Sequence, residues 1–320
     1  YMQELLKKHN CSEIFYKRYI EENAKQRLGM EMQKFLLFKV GKFINPMKKN
    51  EVLKQYIDDE LDNFYNKDVL NIPQIEFCIT TKCTLKCKDC CALIPKFNSS
   101  CHIDMSFDDF KLYLDKLLNV VDMIRHFVIL GGETLINPDL AKMVDYACKQ
   151  EKIFIVQLIT NGTMKFNDEL LKTLKENNKK AYVYISNYSG NENLKPILKH
   201  DEIKNILKEN DIKLQIADNK EWVTEKEFSL SKSRKEDTKQ KIQECFRTQC
   251  NQVLNGYIDI CSKAATAREL KLLELKDSVD IMNSKNLKND LINFYQKEII
   301  DACEYCILSN EKIQPALQQN

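Results

Sequence analysis

A run of β-forming residues, Ile75-Glu76-Phe77-Cys78-Ile79-Thr80, ends just before three cysteines spaced Cys83-x3-Cys87-x2-Cys90. No other feature restricts the fold as tightly. The run reads as a strand, so the cysteines occupy the loop at its C-terminal end. Open α/β sheets and α/β barrels place their chemistry at such ends. Three thiolates on so short a loop can hold three corners of a cubane iron–sulfur cluster. One iron then keeps an open position, as catalytic metal sites do and closed structural sites do not.

The competing reading is a zinc knuckle. Zinc usually takes four ligands, often as two separated pairs. Cys91 is adjacent to Cys90 and His102 is distant, so no fourth ligand is cleanly supplied. Disulfides fit poorly, because a 320-residue chain with no signal-peptide pattern has no need of staples.

A second strand candidate, His126-Phe127-Val128-Ile129-Leu130, runs into Gly131-Gly132-Glu133. Two glycines let the backbone approach a ligand closely, and Glu133 adds a carboxylate suited to an ammonium group. A third strand, Ile153 to Ile159, runs into Thr160-Asn161-Gly162, and a fourth, Tyr182 to Ser186, leads into Asn187 and Tyr188. A fifth is expected over Ile212 to Ala217. Helices are expected between them. Ser106 opens one in capping-box fashion, Asn137-Pro138-Asp139 opens another, and Asp168 to Asn178 forms a third. Alternating β and α units imply a parallel sheet with right-handed crossovers.

These residues resemble the radical S-adenosylmethionine (SAM) superfamily, through Cys83, Cys87, Cys90 and Gly131-Gly132-Glu133. The resemblance implies an α/β fold, a partial (β/α)6 TIM-like barrel. It also implies a [4Fe–4S] cluster whose open iron is chelated by S-adenosyl-L-methionine. Gly131, Gly132 and Glu133 would bind the methionyl amino group, Thr160 and Asn161 would lie near the cofactor, and Ser186 would contact its ribose. Reductive cleavage would yield a 5′-deoxyadenosyl radical that takes hydrogen from a substrate, with reduced flavodoxin or ferredoxin as electron donor. One departure stands out: Asp89 precedes the third cysteine where the family usually carries an aromatic residue. Adenine contacts would then fall to Leu93 or Phe97.

A second cysteine group comprises Cys245, Cys250, Cys261, Cys303 and Cys306. Asn255-Gly256 between apolar residues is a strong hairpin signal, and it would fold Cys261 back toward Cys245 and Cys250. A zinc site could use the same thiolates. The spacing is similar to the twitch module, the shorter relative of the SPASM domain, which implies a second, auxiliary [4Fe–4S] cluster. Which four of the five would ligate stays open, because Cys245 has the module's usual distance to the hairpin glycine while Cys250 lies nearer the strand.

The expected organisation is a helical segment over 1–70, the barrel over 71–223, a polar linker over 224–243, the cluster module over 244–310 and a frayed tail over 311–320. Net charge is +2, and only six of the 49 basic residues are arginine, so nothing suggests a nucleic-acid partner. No apolar run reaches membrane-spanning length. Thirteen cysteines without a signal pattern point to a reducing, cytoplasmic compartment. Cys11, Cys78 and Cys148 read as packing thiols. Cys91 and Cys101 flank the cluster loop, where a thiol could return hydrogen to a substrate radical. Trp222, Tyr188, Arg247, Arg268 and Glu244 are candidates for substrate contact without a motif behind them.

The substrate would be a small hydroxylated or sugar-like molecule that is oxidised. A peptide-modifying or epimerising radical SAM enzyme is the alternative, and a non-enzymatic zinc or iron–sulfur protein is a further one.

Overall fold

The computed structural model describes residues 1–41, 43–217 and 221–319. The chain opens with α1 (Met2–His9) and α2 (Glu13–Phe15). A π turn (Tyr16–Glu21) carries α2 into α3 (Glu22–Phe38), and α4 (Lys49–Asn66) follows. Strands and helices then alternate: β1 (Asn71–Cys78), α5 (Phe107–Leu118), β2 (Met123–Leu130), α6 (Leu140–Lys149), β3 (Ile153–Thr160), α7 (Asp168–Glu176), β4 (Ala181–Ile185), α8 (His200–Glu209), β5 (Leu214–Ile216). A short β6 (Trp222–Val223) and α9 (Lys235–Glu244) lead to the hairpin β7 (Gln252–Leu254) and β8 (Tyr257–Asp259). The remainder is α10 (Ser262–Glu269), β9 (Val279–Asp280), α11 (Leu287–Gln296), α12 (Asp301–Tyr305) and β10 (Lys312–Ile313). Among the described residues no helix is long and apolar enough to cross a membrane.

The main sheet has the order β5-β4-β3-β2-β1-β7-β8-β9. Strands β1 to β5 pair in parallel, and β7 adds a sixth parallel strand beside β1. The sixth strand therefore comes from the cysteine-bearing hairpin and joins the opposite edge from β5. Pairing of β7 is confined to Glu76↔Gln252 and Phe77↔Val253. That edge of β1 is open at the strand's start, which explains how Pro73 is tolerated in a central strand. The mixed α/β sheet and the N-terminal helices match the expected fold class.

Strand alternation sorts the side chains onto two faces. Ile75 and Phe77 of β1, Phe127 and Ile129 of β2, and Val156 and Leu158 of β3 join the main core with Phe110, Leu114 and Leu174 of the crossover helices. Phe77 meets Phe127 at 5.0 Å and Phe110 at 5.2 Å between ring centroids. The opposite face is polar at its centre, with Gln74, Glu76, His126, Gln157 and Tyr182. Helix α3 covers the beginning of this face. Its Met30 and Phe38 pack on Ile155 and Tyr182, and Gln26 reaches Gln74 at 3.4 Å.

The helical segment is also tied in by buried polar contacts. Asn23 Nδ2 donates to the Asn71 carbonyl at 3.2 Å, and the Tyr19 hydroxyl accepts from the Asn71 amide at 3.1 Å. Glu60 on α4 accepts from Asn71 Nδ2 at 2.8 Å and from Arg125 at 2.7 Å.

Helix starts follow their caps. Ser106 and Asn167 accept from the amides of Asp109 and Leu170 at 3.1 and 2.8 Å. Two expectations fail. The supposed linker carries α9, because only Thr238 and Ile242 of that helix turn inward and so leave little apolar period to read. The supposed frayed tail is docked: β10 pairs with β6, and the following residues lie on the cysteine loop. Its last residue, 320, is outside the described set.

The Arg125–Glu60 pair is nearly solvent-free, with side chains 12% and 2% exposed. Removing one partner of such a pair typically costs about 3–5 kcal/mol. Arg125→Leu should therefore lower unfolding free energy by about that amount in urea titration. A change within experimental error would mean that the helical segment does not depend on this contact.

Candidate functional site

Beyond β1 the chain stays locked to its neighbours. The Ile79 amide donates to the Leu130 carbonyl at 2.8 Å and the Thr81 amide to the Ile103 carbonyl at 2.9 Å. Asp104 accepts from the Thr80 hydroxyl at 2.5 Å and pairs with Lys82. Cys83, Cys87 and Cys90 then follow on one loop, at the C-terminal edge of the sheet. All three pack with Leu85, Leu194 and Ala316 in a single apolar cluster. Burial raises each of these thiols, Cys87 to about 11.

Donors face two of the sulfurs. The Leu85 amide and Asn161 Nδ2 approach Cys83 Sγ at 3.4 and 3.7 Å. Gln318 Nε2 approaches Cys87 Sγ at 3.4 Å. Among the described residues no three His, Cys, Asp or Glu side chains are spaced to hold a single metal ion. A cubane asks for something different, since its thiolates bind separate irons. Three sulfurs in an apolar setting with N–H donors suit that group.

The Gly131-Gly132-Glu133 turn packs directly on this loop. The Gly132 amide donates to the Thr80 carbonyl and the Glu133 amide to the Lys82 carbonyl, both at 2.8 Å. A Cβ on Gly132 would stand 2.2 Å from the Lys82 oxygen and 2.9 Å from Cys83 Cβ, and one on Gly131 would stand 2.5 Å from the Thr80 oxygen. The glycines are thus required by backbone meeting backbone, where the sequence suggested backbone meeting ligand.

Glu133 is 1% exposed. Its carboxylate accepts from the Leu135 amide at 3.1 Å, the Thr160 hydroxyl at 2.8 Å and the Asn161 amide at 2.8 Å. Burial raises its pKa, and these hydrogen bonds oppose the rise. The residue braces the end of β2 against the end of β3, a duty its sequence context does not reveal.

The brace continues outward. Asn161 Nδ2 donates to Thr84 Oγ1 at 3.0 Å, and Asn161 Oδ1 accepts from the Thr163 amide and hydroxyl at 3.0 and 2.7 Å. The Thr84 and Thr163 hydroxyls lie 2.6 Å apart. The Ser186 amide donates to the Thr160 carbonyl at 2.9 Å, so β4 ends beside the same turn. One network therefore gathers Cys83, Glu133, Thr160, Asn161 and Ser186. Thr84 and Thr163 belong to it without any motif to announce them, and Gln318 reaches the same cysteine loop at Lys86 and Cys87.

Other candidates have structural partners. Asp89 Oδ1 accepts from the Glu225 amide at 2.9 Å, fastening the following chain to the loop. Phe97 is buried and stacks on His102. Trp222 meets Tyr188 edge-on at 5.4 Å. Arg268 binds Asp259 at 2.9 Å and the Leu254 carbonyl at 2.8 Å, holding the hairpin. Glu244 is exposed and accepts from Gln240. Cys101 folds back on Asn98.

The hairpin turns at Asn255 and Gly256, with φ of 51° and 79°, as the Asn-Gly signal requires. Cys245, Cys261, Cys303 and Cys306 line one largely apolar cavity, with Lys241, Arg247 and Lys263 among its other walls. Cys250 is not in that lining. Its thiol is raised by burial and by Glu76. Glu76 itself is pushed up to about 7 by burial and accepts from Gln74 Nε2 at 2.8 Å. Between the two cysteine groups, Glu225 pairs with Arg247 and, at 3.6 Å, with the buried Lys263.

Residues 77–211 match the model of the Radical SAM superfamily. That stretch of the chain is similar to the radical SAM domain. The superfamily uses a [4Fe–4S] cluster and SAM. Over 102 residues the chain is 33% identical to the antilisterial bacteriocin subtilosin biosynthesis protein AlbA of Bacillus subtilis, covering 31% of this chain. It spans only 21% of that relative's length. Among solved structures, BtrN in complex with AdoMet and 2-DOIA aligns over 77% of this chain and 96% of its own, at 14% identity and a TM-score of 0.44. Streptococcus suis SuiB bound to precursor peptide SuiA aligns over 66% and 45%, at 14% identity and a TM-score of 0.38. Likenesses at this level carry no statement about substrate.

Gly132→Ala should dislodge the loop against which it packs, since the Lys82 oxygen is backbone and cannot swing away. Alkylation of Cys83 in the metal-free protein, followed by peptide mapping, should quicken severalfold. An unchanged rate at Cys83 would show that the turn does not hold the loop.

Proposed function

We propose that this protein is a radical SAM enzyme in which Cys83, Cys87 and Cys90 hold the SAM-binding [4Fe–4S] cluster. In this reading Cys245, Cys261, Cys303 and Cys306 hold an auxiliary one, and a small hydroxylated or sugar-like molecule is oxidised. The observation that carries the second cluster is the single cavity lined by four thiols, the ligand number a closed cubane needs. Cys250 faces Glu76 and takes no part. Zinc would use the same four ligands, and metal analysis separates the two.

When bound, the first group supplies with SAM a 5′-deoxyadenosyl radical for hydrogen abstraction, and the second supplies an electron acceptor. The chain's own residues provide position and dryness. Glu133 and Asn161 hold the ends of β2 and β3 at fixed distance from the Cys83 loop, and the site's worth lies in that preorganisation. Lys241, Arg247 and Lys263 put positive charge at the wall of the four-thiol cavity, which offsets the negative charge of four thiolates. Reduced flavodoxin or ferredoxin is the electron donor, and the setting is cytoplasmic.

A second reading, peptide modification, is favoured by the local identity to the bacteriocin biosynthesis protein AlbA. Product analysis separates it from oxidation of a small molecule.

Anaerobically reconstituted protein should bind two four-iron clusters and, with dithionite, release 5′-deoxyadenosine. Cys245→Ser should lose about half the iron, whereas Cys250→Ser should keep it all. Half-loss in Cys250→Ser with full retention in Cys245→Ser would reverse the ligand set, and zinc in place of the second half would end the auxiliary-cluster reading.

For the substrate, 5′-deoxyadenosine and oxidised product should appear in equal amounts. The Cys303→Ser/Cys306→Ser double variant should cleave SAM without forming product. Product at the wild-type rate in that variant would make the second site structural only.

A further inference from the structure

The segment from Lys312 onward runs across the Cys83–Cys90 loop. Its first two residues pair antiparallel with β6, Lys312↔Val223 and Ile313↔Trp222. Asn191 Nδ2 then donates to the carbonyls of Pro315 and Ala316 at 3.3 and 3.1 Å. Ala316 is fully buried in the apolar cluster that contains Cys87. Its φ is +53°, a conformation costly for a residue with a Cβ. That turn brings the next residues against the cysteine loop. The Lys88 amide donates to the Leu317 carbonyl at 2.7 Å, and the Gln319 amide donates to the Lys86 carbonyl at 2.9 Å.

The side chain of Gln318 is used completely. Its Oε1 accepts from the Lys86 amide at 2.7 Å. An amide N–H can only donate, so this contact fixes which end of the side chain is oxygen. The Nε2 group is left with two hydrogens and two acceptors, the Ala316 carbonyl at 2.7 Å and Cys87 Sγ at 3.4 Å. The Ala316 carbonyl could not take the oxygen instead. Cys87 is 7% exposed, so little bulk water competes for its sulfur.

We propose that Gln318 is a positioning residue of the SAM-cluster site, its amide donating to the Cys87 sulfur and making the cluster held there easier to reduce. The inference rests on the reading of Cys87 as a ligand. N–H donors to cluster sulfurs and solvent exposure are both recognised controls of reduction potential. Reduction adds negative charge, which a donor at the sulfur stabilises. Loss of the donor therefore lowers the potential. Mere loss of cover acts in the opposite sense, because water reaching the cluster also favours the more negative reduced form.

The test is an EPR-monitored redox titration of the reconstituted full chain, following the signal that SAM perturbs. Gln318→Met keeps the length and apolar packing but donates nothing. Its reduction equilibrium should fall roughly three- to tenfold, the worth of one modest hydrogen bond, or about 30–60 mV for one electron. Gln318→Glu replaces the donor with negative charge and should fall further. Potentials in both variants that are unchanged, or raised, overturn the proposal. If unaltered protein shows no SAM-perturbed signal at all, the ligand reading fails with it. If the signal is present and only the variants fail to shift, the ligand reading stands and the role of Gln318 falls.

Discussion

The site depends on a buried carboxylate. Glu133 lies where desolvation disfavours its charge, and it is stabilised only because three N–H or O–H groups converge on it. Two of those donors, the Thr160 hydroxyl and the Asn161 amide, belong to the strand beside its own. The carboxylate thus joins loops that the chain order separates by 27 residues or more. A buried donor left without its acceptor costs roughly 1–3 kcal/mol, so the two turns cannot drift apart cheaply. The cysteine loop gains its shape from the same place, through the Gly132 and Glu133 amides.

This arrangement changes the meaning of the Gly-Gly-Glu turn. Its amides are spent on the carbonyls of Thr80 and Lys82, and most of its acidic capacity is spent on β3. What the turn offers a ligand is therefore a rigid floor. Rigidity of this kind is what a radical enzyme needs, because a reactive intermediate must meet one hydrogen and no other. The Asp89 substitution belongs to the same logic. A carboxylate at that position caps the Glu225 amide, so the chain leading to α9 is moored beside Cys90. Glu225 then turns its own side chain to Arg247 and Lys263. A continuous run of polar contacts therefore connects the loop of the first cysteine group to the cavity wall of the second.

What could be read in advance was local. The first four strands, the Ser106 cap, the Asn-Gly hairpin and the cysteine triplet each declare themselves within a few residues, through alternation, a capping oxygen, a left-handed turn or a spacing. Apart from α9, the unread features are pairings at long separation. That β7 joins β1 is decided by edge geometry, and a three-residue strand carries no sign of its partner. That α3 covers the polar face of the sheet follows from Met30 and Phe38 meeting Ile155 and Tyr182, which an amphipathic pattern cannot specify. Spacing left Cys245 and Cys250 equivalent, and only the direction of each thiol separates them. The segment after residue 310 looked frayed because it is polar and carries few apolar residues. Its docking rests on backbone hydrogen bonds, the amide side chains of Asn191 and Gln318 and one buried alanine, none of which has a compositional signature.

The two cysteine groups also differ in how they are built. The four-thiol cavity draws its walls from α9 and the turn after it, from α10 and from α12, so that its four cysteines come from three separate elements. The triplet comes from a single loop, and its enclosure is borrowed: the β2 and β3 turns on one flank, the Asp89–Glu225 mooring on another, and the Lys312–Gln319 segment across the top. A site built on one loop cannot be sealed by its own core. It is covered instead by segments held largely through backbone hydrogen bonds, whose individual contributions of about 0.5–1.5 kcal/mol are small and add up along each segment.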